Sequence, residues 1–256
     1  MNGAVVRGSA HLRSISIIVP AYNEAGTIGR VVDALADADL GGLIPEIIVV
    51  DDGSSDDTAE RARTAFADLQ LSAVGKVIVQ PVNQGKTAAL KAGFAASTGD
   101  LVIVQDADLE YDPADIALLL RPLLADRADV VVGSRFIGGH PRRLVYLSNA
   151  LGNRLMSGLF SVVSGLRLTD VHCCYIVLPG DLIRTVGPQI SSERWGFNPE
   201  ICSLLADWRT ELRIVEVGIS YYGRSKAEGK KIRFHHGVIA VAEILKFNVR
   251  RRRPLP

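Results

Sequence analysis

The sequence predicts an α/β fold: a mostly parallel, doubly wound sheet with helices on both faces. Three observations carry that prediction. Short β-branched runs alternate with segments whose apolar residues recur at helical spacing. The runs are predominantly apolar, as strands buried on both faces tend to be. At 256 residues there is chain enough for one such domain, and no internal repeat or low-complexity linker divides it.

Ile15-Ser16-Ile17-Ile18-Val19 reads as the first strand, stopped at Pro20. A helix is expected over 25–40, with Ile28, Val31, Val32 and Leu35 on its apolar stripe. The second strand, 46–50, runs into Asp51-Asp52-Gly53-Ser54-Ser55, where Ser55 or Asp57 offers an N-cap for a helix through Ala67. Strands at 76–80, 101–104 and 130–133 then alternate with helices over 86–96 and 113–124. After about residue 140 the rhythm loosens. Helices are expected over 148–165, 199–206 and 234–249, with extended chain at 174–178 and 212–217. The chain divides into an N-terminal segment 1–13, one domain over 14–232 and an apolar, basic helical tail over 233–256.

Composition removes several function classes. The formal net charge of +1 argues against a nucleic-acid binder. That balance hides a basic tail, with ten Lys/Arg against Glu228 and Glu243 between Arg224 and Arg253. Cys173, Cys174 and Cys202 form neither a disulfide framework nor a zinc signature, which suits reduced thiols in the cytosol. The first fourteen residues carry no apolar core of a signal peptide, and no apolar run reaches the roughly 18–20 residues that span a bilayer. The expectation is a cytoplasmic protein that meets a membrane only by lying on its inner face.

In open α/β sheets ligands bind beyond the carboxyl ends of the strands. Three such ends carry polar clusters: Pro20-Ala21-Tyr22-Asn23-Glu24, Asp51-Asp52-Gly53-Ser54 and Asp106-Ala107-Asp108-Leu109-Glu110. The second, alone, reads equally as a turn that caps the next helix. The third follows an uncharged strand, and in extended chain Asp106, Asp108 and Glu110 point to one side. Three such carboxylates repel one another unless a cation intervenes. Mg²⁺ or Mn²⁺, hard ions that take one or two carboxylates plus substrate phosphates, suit them. A solvated acidic turn is the alternative.

Six motifs in order carry a family resemblance: Pro20-Ala21-Tyr22-Asn23-Glu24, the stretch from Val50 to Thr58, Asn83-Gln84-Gly85-Lys86, Thr98-Gly99-Asp100, Asp106-Ala107-Asp108 and Gly133-Ser134-Arg135. The chain resembles family 2 glycosyltransferases of the GT-A fold from about Ser14 to Gly237, most closely the branch that includes dolichol-phosphate mannose synthases. The resemblance implies a single GT-A domain with a C-terminal amphipathic helical extension. It also implies an inverting, metal-dependent transferase that uses a UDP- or GDP-sugar, with polyprenyl phosphate as acceptor. Carried over by position, Pro20, Tyr22, Glu24, Asp52, Gly85, Lys86 and Asp106 would bind the nucleotide-sugar. Asp106, Asp108 and Glu110 would hold Mg²⁺ or Mn²⁺. Asp170 and Arg135 would be catalytic, and Arg135, Arg224 and Lys226 would meet the acceptor phosphate.

The chain departs from the family in places. Thr87 follows Lys86 where glycine or alanine is usual, and Thr169-Asp170-Val171-His172-Cys173-Cys174-Tyr175 resembles a bacterial subgroup with Thr in place of Cys173. His172 is expected to be a satisfied core histidine, and Cys173 and Cys174 small buried residues. Lys86, Arg142 and Arg143 also read as solvated side chains. Trp195 reads as core or as part of a sugar or lipid subsite, and Glu200 as a residue orienting the site. The apolar and basic tail reads as an interfacial segment on an anionic membrane surface, or as a helix packed on the domain. Two alternatives stand: a transferase with a soluble or other cell-envelope acceptor, and a non-catalytic nucleotide-sugar binding module.

Overall fold

The computed structural model describes residues 11–143, 147–193, 196–224 and 234–248. Seven strands form one sheet in the order β3-β2-β1-β4-β6-β5-β7. Strands β1 (Ser14–Ala21), β2 (Ile44–Asp51), β3 (Gly75–Val79) and β4 (Leu101–Val104) are mutually parallel. Ile17, Ile18, Val49, Val50 and Ile103 are all buried, consistent with a sheet covered on both sides. Its cover includes α1 (Ile28–Ala36), α2 (Thr58–Asp68), α3 (Lys86–Ala96) and α4 (Ile116–Leu124). In α1 and α4 the buried residues fall in the i, i+3, i+4, i+7 pattern that the sequence shows. The turn Pro113–Asp115 is 3-10 rather than α, started by Asp112 accepting from the Ala114 N–H.

The second half breaks the parallel rule. β6 (Ile176–Pro179) lies antiparallel to both β4 and β5 (Val130–Ser134), while β7 (Ile214–Gly218) is parallel to β5. The reason is where the chain waits before β6. After β5 it runs through α5 (Leu147–Ser164), and Thr169 and Asp170 remain bonded to Ser134 and Arg135 at the carboxyl end of β5. The next strand must therefore enter from that edge. Two further helices follow, α6 (Gly180–Val186), which periodicity did not suggest, and α7 (Phe197–Asp207). Finally α8 (Phe234–Asn248) packs on α7 and α5, burying Ala240, Ile244 and Phe247, so part of the tail is indeed a helix docked on the domain. No helix among the described residues is long and apolar enough to cross a membrane.

Sequence order on either side of β1 reverses, with β2 on one flank and β4 on the other. This switch point brings the carboxyl ends of β1, β2 and β4, and their polar clusters, to one edge of the sheet.

Candidate active site

The loops after β1 and β2 are bonded to each other before any ligand is considered. Asn23, at φ 53°, donates its N–H to Ser54 Oγ and accepts from the Ser55 N–H, each at 2.9 Å. The Glu24 N–H donates to Thr58 Oγ1. Gly53 has φ 69°, and a Cβ there would meet the Val82 backbone at 2.6 Å, so the tight turn requires glycine. Pro20 and Tyr22 sit beside this lacing, Tyr22 with its ring partly exposed. Asp52 is 3% exposed, and its two oxygens accept from the Gln84 N–H at 2.9 Å and the Gly85 N–H at 2.7 Å. It thereby fixes the loop that starts α3. Gly85, at φ 94° and ψ 163°, occupies a region essentially closed to other residues.

That loop aims Lys86 across to β4. Its Nζ pairs with Asp106 and lies 3.6 Å from Cys174 Sγ. Burial disfavours the ammonium, but the Asp106 carboxylate outweighs it, so the Lys86 pKa is raised. Thr87 is buried in the first turn of α3. Lys86 is thus not a solvated residue at a helix start.

The acidic segment is a turn, not extended chain. Leu109 has φ 59°, so the alternation expected for Asp106, Asp108 and Glu110 does not hold. Each carboxylate has its own partner. Asp106 has Lys86, and Asp108 Oδ2 accepts from Arg224 Nη2 at 2.8 Å. Glu110 accepts from the Tyr221 hydroxyl at 2.5 Å and the Arg224 N–H at 2.7 Å. Burial, with Asp106 and Glu110 nearby, pushes the Asp108 carboxyl up to about 7 against the pull of Arg224. Among the described residues no three carboxylate, histidine or cysteine side chains converge to cage a metal by themselves. The set still fits a hard cation held by one or two carboxylates and completed by diphosphate oxygens. A guanidinium already stands in for that positive charge: Arg224 also lies 3.4 Å from Glu24 Oε2 and 3.8 Å from Glu110 Oε1.

The second cluster lies beyond β5. Arg135 donates Nε and Nη2 to the two oxygens of Asp170 at 2.7 and 2.8 Å, and its own N–H to the same carboxylate at 3.1 Å. Asp170 is fully buried. Burial disfavours the guanidinium, but Asp170 overrides this and holds the Arg135 pKa high. The guanidinium carbon sits 5.0 Å from the centre of the Tyr221 ring. Glu216 of β7 accepts from the backbone N–H groups of Thr169 and Asp170 and fixes the loop from behind.

His172 is not the satisfied core histidine expected. Its Nε2 is buried without a hydrogen-bond partner among the described residues, and burial, then Arg135, lowers its pKa to about 4. Cys173 and Cys174 are buried as expected, and burial raises both thiols. Arg143 donates its N–H to the Tyr221 carbonyl, and the exposed Arg142 reaches the Arg135 carbonyl at 3.5 Å. Glu200 accepts from the N–H groups of Ser191 and Ser192, away from the acidic turn. Lys226 and Trp195 lie outside the described residues.

Sequence reasoning missed the tyrosines that join the two clusters. Tyr175 donates to Gln105 Oε1, the Tyr111 hydroxyl accepts from the Cys174 N–H, and Tyr221 bridges Glu110 and Arg135. Sixty or more residues separate those hydrogen-bonded partners, so no local spacing marks them. Glu216 left a faint signal, as a lone charge inside an apolar strand.

The ordered strand-end motifs have a counterpart in known proteins. Glycosyl transferase family 2 matches residues 16–178. The chain belongs to this family. Glucosyl-3-phosphoglycerate synthase of Mycolicibacterium smegmatis is 38% identical over 54% of the chain and 44% of that relative. Undecaprenyl-phosphate 4-deoxy-4-formamido-L-arabinose transferase of Edwardsiella ictaluri is 31% identical over 86% and 63%, and dolichol-phosphate mannosyltransferase of Pyrococcus furiosus 35% over 49% and 34%. The family 2 chain thus spans between a third and two thirds of the length of these relatives. Among solved structures, glucosyl-3-phosphoglycerate synthase from Mycobacterium tuberculosis, in complex with Mn²⁺, UDP and glucosyl-3-phosphoglycerate, matches at a TM-score of 0.67. The match covers 93% of this chain and 80% of that one at 23% identity, and the shared fold is GT-A.

Proposed function

We propose that this family 2 chain is an inverting glycosyltransferase that moves a sugar from a UDP- or GDP-sugar to a polyprenyl phosphate. The donor half of the reading is supported by the meeting of the β1, β2 and β4 ends. Pro20, Tyr22, Glu24, Asp52 and Gly85 would form the nucleoside side, and Lys86 with Asp106 the diphosphate side. Asp108, with Asp106 or Glu110, would hold Mg²⁺ or Mn²⁺; Mn²⁺ accompanies UDP in the complex of the M. tuberculosis synthase. A bound divalent cation supplies charge neutralisation for the departing nucleoside diphosphate. The bond from the anomeric carbon to the diphosphate oxygen breaks as a bond to the acceptor oxygen forms on the opposite face.

The observation that carries the acceptor reading is the state of Asp170. Both of its oxygens are held by Arg135, which supports a role in orienting that guanidinium over one in taking a proton from a hydroxyl. An anionic phosphate needs no such base; it needs a fixed cation, and Arg135 is one. Two of the relatives carry undecaprenyl or dolichol phosphate in their names. The surface supports a lipid acceptor too. Leu151, Leu155 and Val162 of α5 are exposed and lie within about 40° of one another around the helix. Ile239 and Leu245 of α8, which packs on α5, are exposed as well, and the sequence continues into Arg250-Arg251-Arg252-Arg253. An anionic membrane surface on the cytoplasmic side suits that combination.

A second reading, a small soluble phosphorylated acceptor, is favoured by the 38% identity to glucosyl-3-phosphoglycerate synthase. Incubating the protein with Mn²⁺ and a panel of UDP- and GDP-sugars separates the two, with undecaprenyl phosphate in liposomes in one arm and 3-phosphoglycerate in the other. Product in the lipid arm alone is expected; product in the soluble arm alone overturns the acceptor reading. Asp108→Ala should lower transfer about 10²-fold to 10³-fold. Transfer at the full rate by that variant would sink the metal site.

A further inference from the structure

We infer that Arg224 is a built-in counter-cation that holds the acidic turn until metal and diphosphate displace it, and that the turning of Glu110 in the same exchange loosens the Tyr221 ring from Arg135. The inference rests on the reading of Asp108 as a metal ligand, and it assigns Arg224 a part beyond contact with an acceptor.

The guanidinium lies 2.8 Å from Asp108, 3.4 Å from Glu24 and 3.8 Å from Glu110. A divalent cation bound to Asp108 at about 2.1 Å, with the rest of its oxygen shell, claims the same volume. The two cations therefore exclude each other. The guanidinium spreads one charge over several donors, whereas the divalent ion brings two charges to a point. The exchange is favourable once the diphosphate adds its own negative charge.

Arg224 is also held imperfectly. Its Nε is buried with no hydrogen-bond partner among the described residues, and Glu110 Oε1, at 3.8 Å, is too far to serve. A buried donor left unmet is costly, and that cost is relieved when the side chain leaves. Charge, not complete hydrogen bonding, keeps it in place.

Other groups move with it. Segment 221–224 is tied to Glu110 by three bonds, Tyr221 Oη at 2.5 Å and Arg224 N at 2.7 Å to the carboxylate and Tyr222 N at 2.8 Å to the carbonyl, while the Tyr221 main chain is kept in place by the Pro141 carbonyl at 3.0 Å and the Arg143 N–H at 2.8 Å, so it is the Tyr221 ring that is free to move. Two of the three are lost if Glu110 turns toward an incoming cation. The same Tyr221 ring covers Arg135. Donor loading is in this way linked to exposure of the cation proposed for the acceptor, which favours donor before acceptor.

The test is a titration of MnCl₂ into the nucleotide-free protein, with free Mn²⁺ read by electron paramagnetic resonance. Arg224→Ala should bind Mn²⁺ roughly tenfold more tightly than the parent, whereas Arg224→Lys, which keeps a positive charge, should gain much less. Weaker or unchanged binding in Arg224→Ala overturns the inference. Asp108→Asn separates the two levels: if it leaves Mn²⁺ binding intact, the metal site itself fails; if it abolishes binding while Arg224→Ala gains nothing, only the counter-cation fails. Hydrogen exchange gives a readout that needs no substitution. Adding MnCl₂ with UDP to the parent protein should speed exchange in a peptide spanning 219–224. Slower or unchanged exchange there counts against release of the segment.

Discussion

The two halves of the site neutralise their carboxylates in different ways. On the β1, β2 side, Asp52 is bound by the backbone N–H groups of Gln84 and Gly85, and Asp51 by the Ser54 N–H. On the side facing β5 and segment 221–224, Asp170 is bound by Arg135, and Asp108 by Arg224. Backbone amides cannot leave, so the first half is a rigid mould whose shape exists before a ligand arrives. A side-chain cation can leave, so the carboxylate that Arg224 neutralises can be handed to another ion, while Arg135 stays fixed on its buried partner. The difference separates a region built to fit from a region built to exchange.

The sharpest way to break the exchanging half is to remove its deepest cation. Arg135→Ala strands a fully buried Asp170, and loss of one partner from a buried ion pair costs about 3–5 kcal/mol. Urea denaturation should report a loss of that size. The double variant Arg135→Ala/Asp170→Ala should recover much of it, because no charge is then left unpaired. If the single variant loses less than the double, the pair is not the anchor described.

Asp52→Ala is the matching test of the rigid half, and a smaller effect is expected. It removes an acceptor from two backbone donors, and charged hydrogen bonds are worth about 1.5–3 kcal/mol each before water takes over the exposed ones. A loss near 2 kcal/mol is the expectation. No companion substitution should repair it, since the stranded groups are main chain. Donor binding should weaken with it, because Gly85 and Lys86 lose the carboxylate that sets their position. Unchanged UDP affinity would argue that the loop is held by something other than Asp52.

The same contrast explains what was legible in the sequence. The rigid half could be read because its residues stand in contiguous motifs at strand ends, Pro20 to Glu24, Asp51 to Ser54 and Asn83 to Lys86, although the bonds that lace those motifs together, such as Asp52 to Gly85, were not foreseen. The exchanging half is made of long-range pairs. Arg224 reaches Asp108 across 116 residues, and Tyr221 reaches Glu110 across 111. Nothing in the spacing around Arg224 says that it turns back to the acidic turn, and from the sequence it reads as a contact of the acceptor phosphate. Asp106, Asp108 and Glu110 do not alternate because of one residue, Leu109, whose positive φ periodicity cannot foresee. The direction of β6 was hidden for a similar reason. A run such as Ile176-Val177-Leu178 reads the same parallel or antiparallel, and only the anchoring of Thr169 and Asp170 at the end of β5 decides it.

His172 offers a finer probe of the exchanging half, through pH. Its folded pKa of about 4 lies below the ordinary value of 6.5, so the unfolded chain binds a proton that the folded one refuses. The folded protein should lose stability as pH falls from about 6.5 toward 4, and this share should be complete above that window. His172→Gln removes the titration and should flatten the acid limb relative to the parent, with little change at pH 8. Parallel acid limbs would show that His172 is charged in the fold, or that the Arg135 and Asp170 pair beside it does not shape its environment.

The smallest effect on stability is expected outside the site, on α5. Leu155→Glu exchanges an exposed apolar side chain for an acidic one, and surface changes of this kind stay within about 0.5 kcal/mol. The same change places a negative charge in the row of Leu151 and Val162, the latter 83% exposed. If that row lies on an anionic leaflet, sedimentation with phosphatidylserine liposomes should fall for Leu155→Glu while urea stability and UDP binding hold. Transfer to undecaprenyl phosphate in liposomes should fall in parallel, and transfer to a detergent-dispersed short-chain polyprenyl phosphate should not. Equal loss with both acceptors would place the fault in the site. Equal retention with both would mean that α5 faces something other than a membrane, and that the lipid reading must stand on Arg135 and Asp170 alone.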